Sequence, residues 1–479
     1  MTEVSLGPDQ KQCRPKSGDS QPVTERRNPN RNSSSPNCER WNPNQERCIH
    51  YGTGPLLIVA SPGSGKTYTI TRRIDYLING LHIPPQEILV LTFSRAAAAE
   101  MKNRFIQLQG QNENVTFGTF HSVFFSVLRS AYGTNAENYI LHNPDEEEPQ
   151  FQEMLLLTRQ LLYRRPDIRE LLKKKYRWIL IDEFQDIDAL QYEIIRLITD
   201  PDSNLTVVGD DDQSIYGFRG ARPDLMLHFR EDYPDAELVT LDRNYRSTPE
   251  IVECAGKLIR HNQNRYLKSI KAVRGHGEKV RILEFTDAKE QCRFLAAELQ
   301  DYLSKEGNIK EVVILCRTNR EEWVVSNLLA DCHVTPDFMT YHKSKGLEYD
   351  VVYMIDCNEG VTPNQRCTDM EEERRAFYVA MTRARKKLTL CYVRKRRGKD
   401  AFPSRFVEEV MEAGVSDFTK QYVPHRAGNP SESKKAGTTK NEICKELYLK
   451  KIYAKFILCL KSLFGGSYGK RSNSNNRIR

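Results

Sequence analysis

Two short stretches carry residues that could do chemistry together. "WILIDEFQDIDALQ" (178–191) is an apolar run that ends in three acids, Asp182, Glu183 and Asp186, within five positions. Like charges crowded at a strand end repel one another, which costs stability unless a cation or a reaction uses them. "ASPGSGKT" (60–67) follows the apolar run "LLIVA" and opens a helical pattern, the context of a phosphate-binding loop. In that reading Ser61, Pro62, Gly63, Ser64 and Gly65 form the loop, and its glycines let backbone N–H groups approach phosphate oxygens. Lys66 then reaches the β and γ phosphates and Thr67 holds magnesium. Ala60 stands where the general pattern has its first glycine. Asp182 supplies a second magnesium ligand and Glu183 orients or deprotonates the attacking water, so the bound cation offsets the repulsion. Asp186 fits the cap of the helix that follows. Alone, the acids read as a solvent-facing turn and the loop as a glycine-rich bend; together they describe a site that hydrolyses a nucleoside triphosphate.

Such a site needs strands to aim it. Apolar, β-branched runs at 56–60, 88–93, 178–184, 205–210, 279–285, 311–316, 349–356 and 387–393 alternate with helical patterns such as 96–108 and 251–262. This alternation predicts an α/β fold with parallel sheets covered on both faces, split into two α/β domains. The expected organisation is a disordered tail over 1–40, a first domain over 41–235 with a helical insertion at about 135–175, a second domain over 236–414, and a basic tail over 415–479. In that tail Ile443, Leu447, Ile452, Phe456 and Leu463 recur at helical spacing among lysines, which predicts an amphipathic helix that docks on the body, binds a protein partner or lies on an anionic surface.

The 479 residues carry a formal net charge of +8. Fourteen Lys/Arg against three Asp/Glu from Phe418 onward, and eight against six in the first 47 residues, leave residues 48–417 at −5. Overall basicity is therefore no argument that the body binds nucleic acid. No apolar run reaches the ~18 residues of a membrane helix and the N-terminus lacks a signal-peptide core, so no stable membrane insertion and a cytoplasmic location are expected. The 12 cysteines form no C-x-x-C pair, which predicts reduced, structural thiols.

Eight blocks, taken in order, resemble those of superfamily 1 helicases of the UvrD/Rep/PcrA group: "NPNQ" (42–45) with the phosphate loop, "LTFSRAAAAEM" (91–101), "FGTFHS" (117–122), "DEFQD" (182–186), "VVGDDDQSIYGFRGA" (207–221), "LDRNYRSTPEI" (241–251), "TYHKSKGLEYDVV" (340–352) and "EEERRAFYVAMTRARKKL" (371–388). The resemblance runs from about 42 to about 393 and implies two RecA-like domains, use of ATP and Mg2+, and movement on single-stranded DNA and single-strand/duplex junctions. It implies that Gln45 reads the adenine edge, Tyr245 stacks on its face, Glu348 takes the ribose hydroxyl and Gln213 senses the γ-phosphate. Arg246 and Arg383 would reach across the cleft as arginine fingers. Phe93, Tyr216 and Phe218 would stack on bases, with His121, Arg219 and His342 contacting the strand.

Three departures qualify the resemblance. Phe218 stands where the group usually has tryptophan, and Tyr68 where an arginine often follows the loop threonine. Between Arg317 and Thr340 lie only about 23 residues, where relatives carry a large regulatory arm. The expectation is a stripped 3′→5′ motor acting in DNA repair or replication, with duplex separation weak or dependent on a partner. A translocase that displaces proteins without unwinding, and a non-hydrolysing nucleic-acid adaptor, are the alternatives that the sequence leaves open.

Overall fold

The computed structural model describes residues 42–412, apart from 111–113, 134–146, 307 and most of 322–335, together with 418–422. The expected N-terminal tail and the amphipathic stretch at 443–464 lie outside the described residues.

The first sheet contains β1 (Leu56–Ala60), β2 (Ile88–Thr92), β3 (Thr116–Thr119), β4 (Trp178–Ile181), β5 (Asn204–Gly209) and β6 (Glu237–Leu241). Its order is β3-β2-β4-β5-β1-β6, with every pair parallel. The strands β1, β2 and β4 are buried along their full length, as expected of strands packed on both faces. One face rests on a cluster that includes Leu57, Phe124, Phe184 and Ile195, the other on one that includes Ile58, Ile70, Met101 and Phe105. Helices Glu147–Arg164 and Pro166–Lys175 occupy the described part of the predicted insertion.

The second sheet contains β9 (Val280–Asp287), β10 (Val312–Cys316), β11 (Asp337–Thr340), β12 (Tyr349–Met354), β13 (Ala384–Arg396) and β15 (Phe418–Tyr422), in the order β11-β10-β12-β13-β9-β15. Its neighbours on this path are all parallel, and a short β14 (Lys399–Asp400) turns back on β13. β7 (Arg243–Asn244) and β8 (Lys271–Ala272) form a separate small ladder. The chain thus folds as two RecA-like α/β domains with parallel sheets.

Two expected boundaries move. β6 pairs with β1 from Leu56↔Glu237 to Ala60↔Leu241, so the first domain continues past the boundary placed after residue 235. Residues 418–422, assigned to the basic tail, extend the second sheet by pairing with β9. Both strands lie at the ends of their sheets and mix polar with apolar residues, which hides them from a search for continuous apolar runs. The described cysteines are free; Cys48, Cys254, Cys292, Cys316, Cys357 and Cys391 are buried and Cys367 is half-buried. No described helix is long and apolar enough to cross a membrane.

Candidate functional site

The phosphate loop leaves the C-terminal end of β1 and enters helix Lys66–Asp75, the place where parallel α/β sheets gather ligands. Gly63 and Gly65 have φ of +65° and +81°, in the left-handed region. A Cβ on Gly63 would come 2.5 Å from Cβ of Arg246, and one on Gly65 would come 2.7 Å from Nε2 of Gln45. The loop is therefore packed on both sides by groups that had been assigned to the nucleotide. Ser61 Oγ donates to the Leu241 carbonyl at 2.8 Å, Asn244 donates to the Pro62 carbonyl at 2.8 Å and the Tyr245 N–H to the Gly63 carbonyl at 2.9 Å. Gln45 Nε2 donates to the Ser64 carbonyl at 2.9 Å, and Thr67, half-buried, lies at the helix start. Asn42 caps helix Pro43–Ile49 and donates to the Tyr245 hydroxyl at 3.0 Å, which places Gln45 and Tyr245 on the same flank of the loop.

The acids follow β4. Lys66 Nζ lies 3.0 Å from Glu183 Oε1. Burial pulls the ammonium pKa down, but Glu183, Asp182 and Asp210 outweigh it and the net shift is upward. Asp182 is raised, first by burial and then by the Glu183 charge. Burial works against ionised Glu183, yet Lys66 and Lys345 hold its pKa below the usual carboxylate range. Glu183 itself sits at φ 53°, ψ 43°, a strained conformation for a side-chain-bearing residue and one found at functional sites. Asp182 Oδ1 is buried without a hydrogen-bond partner among the described residues. A buried, unsatisfied carboxylate oxygen beside a lysine and a second carboxylate is suited to a hard divalent cation, so the donor set fits magnesium.

The structure assigns Asp186 differently from the helix cap expected of it. Asp188 caps helix Ala189–Ile198, through a reciprocal box with Gln191. Asp186 is instead buried against Lys345 of the second domain, whose ammonium also donates to the Gln213 carbonyl at 2.7 Å. Burial pushes the Asp186 pKa up to about 6, against the pull of Lys345. The sequence reading gave no role to Lys345; its place inside "TYHKSKGLE" was the available signal.

The two arginines come from the second domain and both face this cluster. Arg383 is buried; its Nε donates to the Val379 carbonyl at 2.8 Å, Nη1 to the Leu347 carbonyl at 3.2 Å and Nη2 to Gln213 Oε1 at 3.1 Å. Burial, and then the nearby Arg246 charge, lower its pKa to about 9. Arg246 lies against Gly63 and pairs with Glu348 at 2.6 Å, so the carboxylate expected to meet a ribose is held by an arginine here. Burial opposes ionisation of Glu348, but Arg246 lowers its pKa overall.

Beside this cluster runs a row of aromatic rings. Phe93 stacks on Tyr216 at 5.2 Å with 5° between planes, Tyr216 meets Phe218 edge-on at 6.1 Å, and Phe218 meets His342 edge-on at 5.6 Å. Phe93 and Phe218 are 38% and 66% exposed, so neither is a core residue. Arg219 lies over both Tyr216 and Phe218 at 5.5 Å, and Lys345 over Tyr216 at 4.9 Å. The row crosses from one domain to the other at His342. Burial, then Arg317, lowers the His342 pKa to about 4, and burial lowers that of His121, so both rings are neutral near pH 7. His121 is half-buried at the start of helix Phe120–Tyr132.

A second feature missed by the sequence reading joins the domains. Lys268 Nζ lies 2.6, 2.7 and 2.8 Å from Asp210, Asp211 and Asp212, and Arg265 forks onto Asp212. These three aspartates have the spacing of a metal cluster, but the lysine occupies it.

Residues 41–148 and 133–234 match the UvrD/REP helicase N-terminal domain, and residues 239–338 and 337–395 match the UvrD-like helicase C-terminal domain. A putative ATP-dependent DNA helicase, YjcD, of Bacillus subtilis is 30% identical over 336 residues, which are 56% of this chain and 44% of that protein. The ATP-dependent DNA helicase PcrA of Staphylococcus epidermidis is 30% identical over 351 residues, 59% of this chain and 48% of that protein. The PcrA of Staphylococcus aureus is 29% identical over the same length. The chain spans about half the length of these curated relatives.

Proposed function

The chain belongs to the UvrD-like helicases of superfamily 1, and from that premise we propose that it is an ATP-driven motor that moves 3′→5′ along single-stranded DNA in repair or replication. The observation that carries this reading is the meeting of Lys66, Asp182, Glu183 and Gln213 with Arg246 and Arg383 from the other domain, one face of the same cleft away from an exposed aromatic row. Thr67 and Asp182 would hold magnesium, which neutralises charge developing on the transferred phosphate. Glu183 orients the attacking water, and Lys66 exchanges its bond to Glu183 for the phosphate. Arg246 exchanges Glu348 for the nucleotide in the same way, leaving that carboxylate for the ribose. Gln45 and Tyr245 flank the base.

Coupling follows from the residues that touch both functions. Lys345 holds Asp186 next to the acids while its ammonium lies over Tyr216 in the aromatic row, so a base displacing that ring perturbs the acid cluster directly. Opening and closing of the cleft would then alternate the grip of the two domains on the strand. With only about 23 residues between Arg317 and Thr340, separation of duplexes by the isolated chain is expected to be weak. ATP turnover measured with and without single-stranded DNA tests the reading. DNA-stimulated hydrolysis that disappears in Lys66→Ala and Glu183→Gln supports it; no stimulated turnover in the folded wild type sinks it and favours a non-hydrolysing adaptor.

A further inference from the structure

The second sheet repeats the first: β9 takes the place of β1, β10 of β2, β12 of β4 and β13 of β5. The match extends to single residues. Asp182 N–H donates to the Leu91 carbonyl and Ile355 N–H to the Leu315 carbonyl, and in each case the next residue is an acid in the left-handed region, Glu183 at φ 53° and Asp356 at φ 49°. Where Lys66 meets Glu183, Gln291 in the first turn of helix Ala288–Glu306 donates to Asp356 at 3.2 Å. The second domain therefore has a cleft in the position of the nucleotide site, with a neutral amide in place of the lysine.

That cleft is an open cavity of about 370 Å³ lined by Lys289, Arg320, Lys395, Arg396 and Arg397 against Asp287, Glu321 and Asp356. Its acids are already engaged: Arg396 pairs with both Glu321 and Asp356 at 3.2 Å, and Asp287 accepts the Glu290 N–H. Lys289, Arg320, Lys395 and Arg397 are exposed and have no hydrogen-bond or ion-pair partner for their side chains among the described residues. In a body whose residues 48–417 sum to −5, four unpaired cations around one cavity are a local concentration, not background. A second cavity of about 710 Å³ shares Arg396 and Arg397 with the first and carries Phe402, 71% exposed.

The geometry points to a binding site for the phosphodiester backbone of a nucleic-acid strand in this cleft, an extension of the strand path in the function proposed above, on which it rests. A nucleoside triphosphate is the poorer occupant. β9 ends at Asp287 and its helix begins at Ala288, so no glycine loop intervenes to present backbone N–H groups to a phosphate chain. The cations instead project from β13, its turn, the residues just after β10 and the first turn of helix Ala288–Glu306, spread out as a backbone requires, with an aromatic ring beside them. His342, the last ring of the aromatic row, follows β11 at the same edge of the sheet. At ~4.8 Å per strand, β13 lies about 14 Å beyond β11, a distance a single strand spans within a few nucleotides.

The test uses the full chain and labelled oligothymidylates of increasing length. Wild-type affinity should rise with length beyond the value set by the aromatic row. The Arg320→Ala/Lys395→Ala/Arg397→Ala variant should plateau at the short-strand affinity, with a salt dependence flatter by about 2 in slope for three lost phosphate contacts on a single strand. Phe402→Ala should weaken long strands without flattening that slope. Both variants should keep the wild-type ATP turnover at saturating DNA and the wild-type melting temperature. Equal affinity and slope in wild type and triple variant overturn the inference. Binding of inorganic phosphate or ATP lost in the triple variant, with oligonucleotide affinity untouched, overturns it in favour of a small-anion site. Failure of the wild type to bind any single strand would instead bring down the motor reading itself.

Discussion

Replacing Arg246 with alanine separates catalysis from stability. Its guanidinium is largely buried, but the partner Glu348 carboxylate is 44% exposed and the further contact, to the Thr382 carbonyl, is 3.3 Å long. An ion pair with one exposed member contributes about 0–1 kcal/mol, so Arg246→Ala should lower the melting temperature by no more than a few degrees, at roughly 2–4 °C per kcal/mol for domains of this size. An arginine that stabilises charge in phosphoryl transfer contributes ~10³–10⁵ in rate, or about 4–7 kcal/mol of barrier. The expected result is a folded protein whose DNA-stimulated turnover falls at least about a thousandfold, with strand affinity retained. Turnover under saturating ATP and oligonucleotide, set beside a thermal melt, gives both numbers. If turnover stays within a few-fold while the fold is intact, or is lost only in step with unfolding, Arg246 does not act on the nucleotide.

Gly63→Ala should impair nucleotide binding more than its size suggests, because the new methyl meets Arg246 Cβ at 2.5 Å and φ is +65°; titration of a fluorescent ATP analogue reads this. Phe218→Ala should weaken single-strand affinity by the ~1–3 kcal/mol of one stacked base while DNA-independent turnover is unchanged, and Phe218→Trp should restore or exceed the wild type. Lys268→Met leaves three buried aspartates without their shared cation, which should cost at least ~3 kcal/mol in denaturant unfolding, far more than removal of an exposed lysine. His342 has a folded pKa near 4, below its unfolded value near 6.5. The unfolded chain therefore takes up the proton first, and the His342 contribution to stability should fall as pH drops from 6.5 toward 4 and be flat above. Wild type and His342→Phe should accordingly differ in stability by a constant amount above pH 7 and diverge below 6.5.

What could be read in the sequence was whatever is coded within one short segment. The eight apolar runs all reappear as strands because central parallel strands are buried on both faces and must be apolar throughout. β3, β6, β11 and β15 escaped because "TFGT", "ELVTL", "DFMT" and "FTKQY" are short and mix polar with apolar residues. The phosphate loop and Asp182–Glu183 were legible because spacing alone brings them to strand ends. The partners of Asp186 and of the three aspartates were not, since Lys345 and Lys268 are 159 and 58 residues away from Asp186 and Asp210 in the chain. The Asp188–Gln191 capping box was visible as D-x-x-Q, and reading it would have released Asp186 from the cap. A repeat of the sheet was implied by the expectation of two RecA-like domains, but its residue-level match was not legible, because Gln291 and Asp356 share no motif with Lys66 and Glu183.

The central claim is that ATP hydrolysis between the two domains moves the protein along a single strand. Stopped-flow fluorescence on oligothymidylates labelled at the 5′ end tests it most directly. With ATP, the time to the arrival signal should grow in proportion to strand length, a 3′ label should give no such delay, and Lys66→Ala should abolish the delayed signal. An arrival time independent of length, in a protein that hydrolyses ATP and binds the strand, would contradict it.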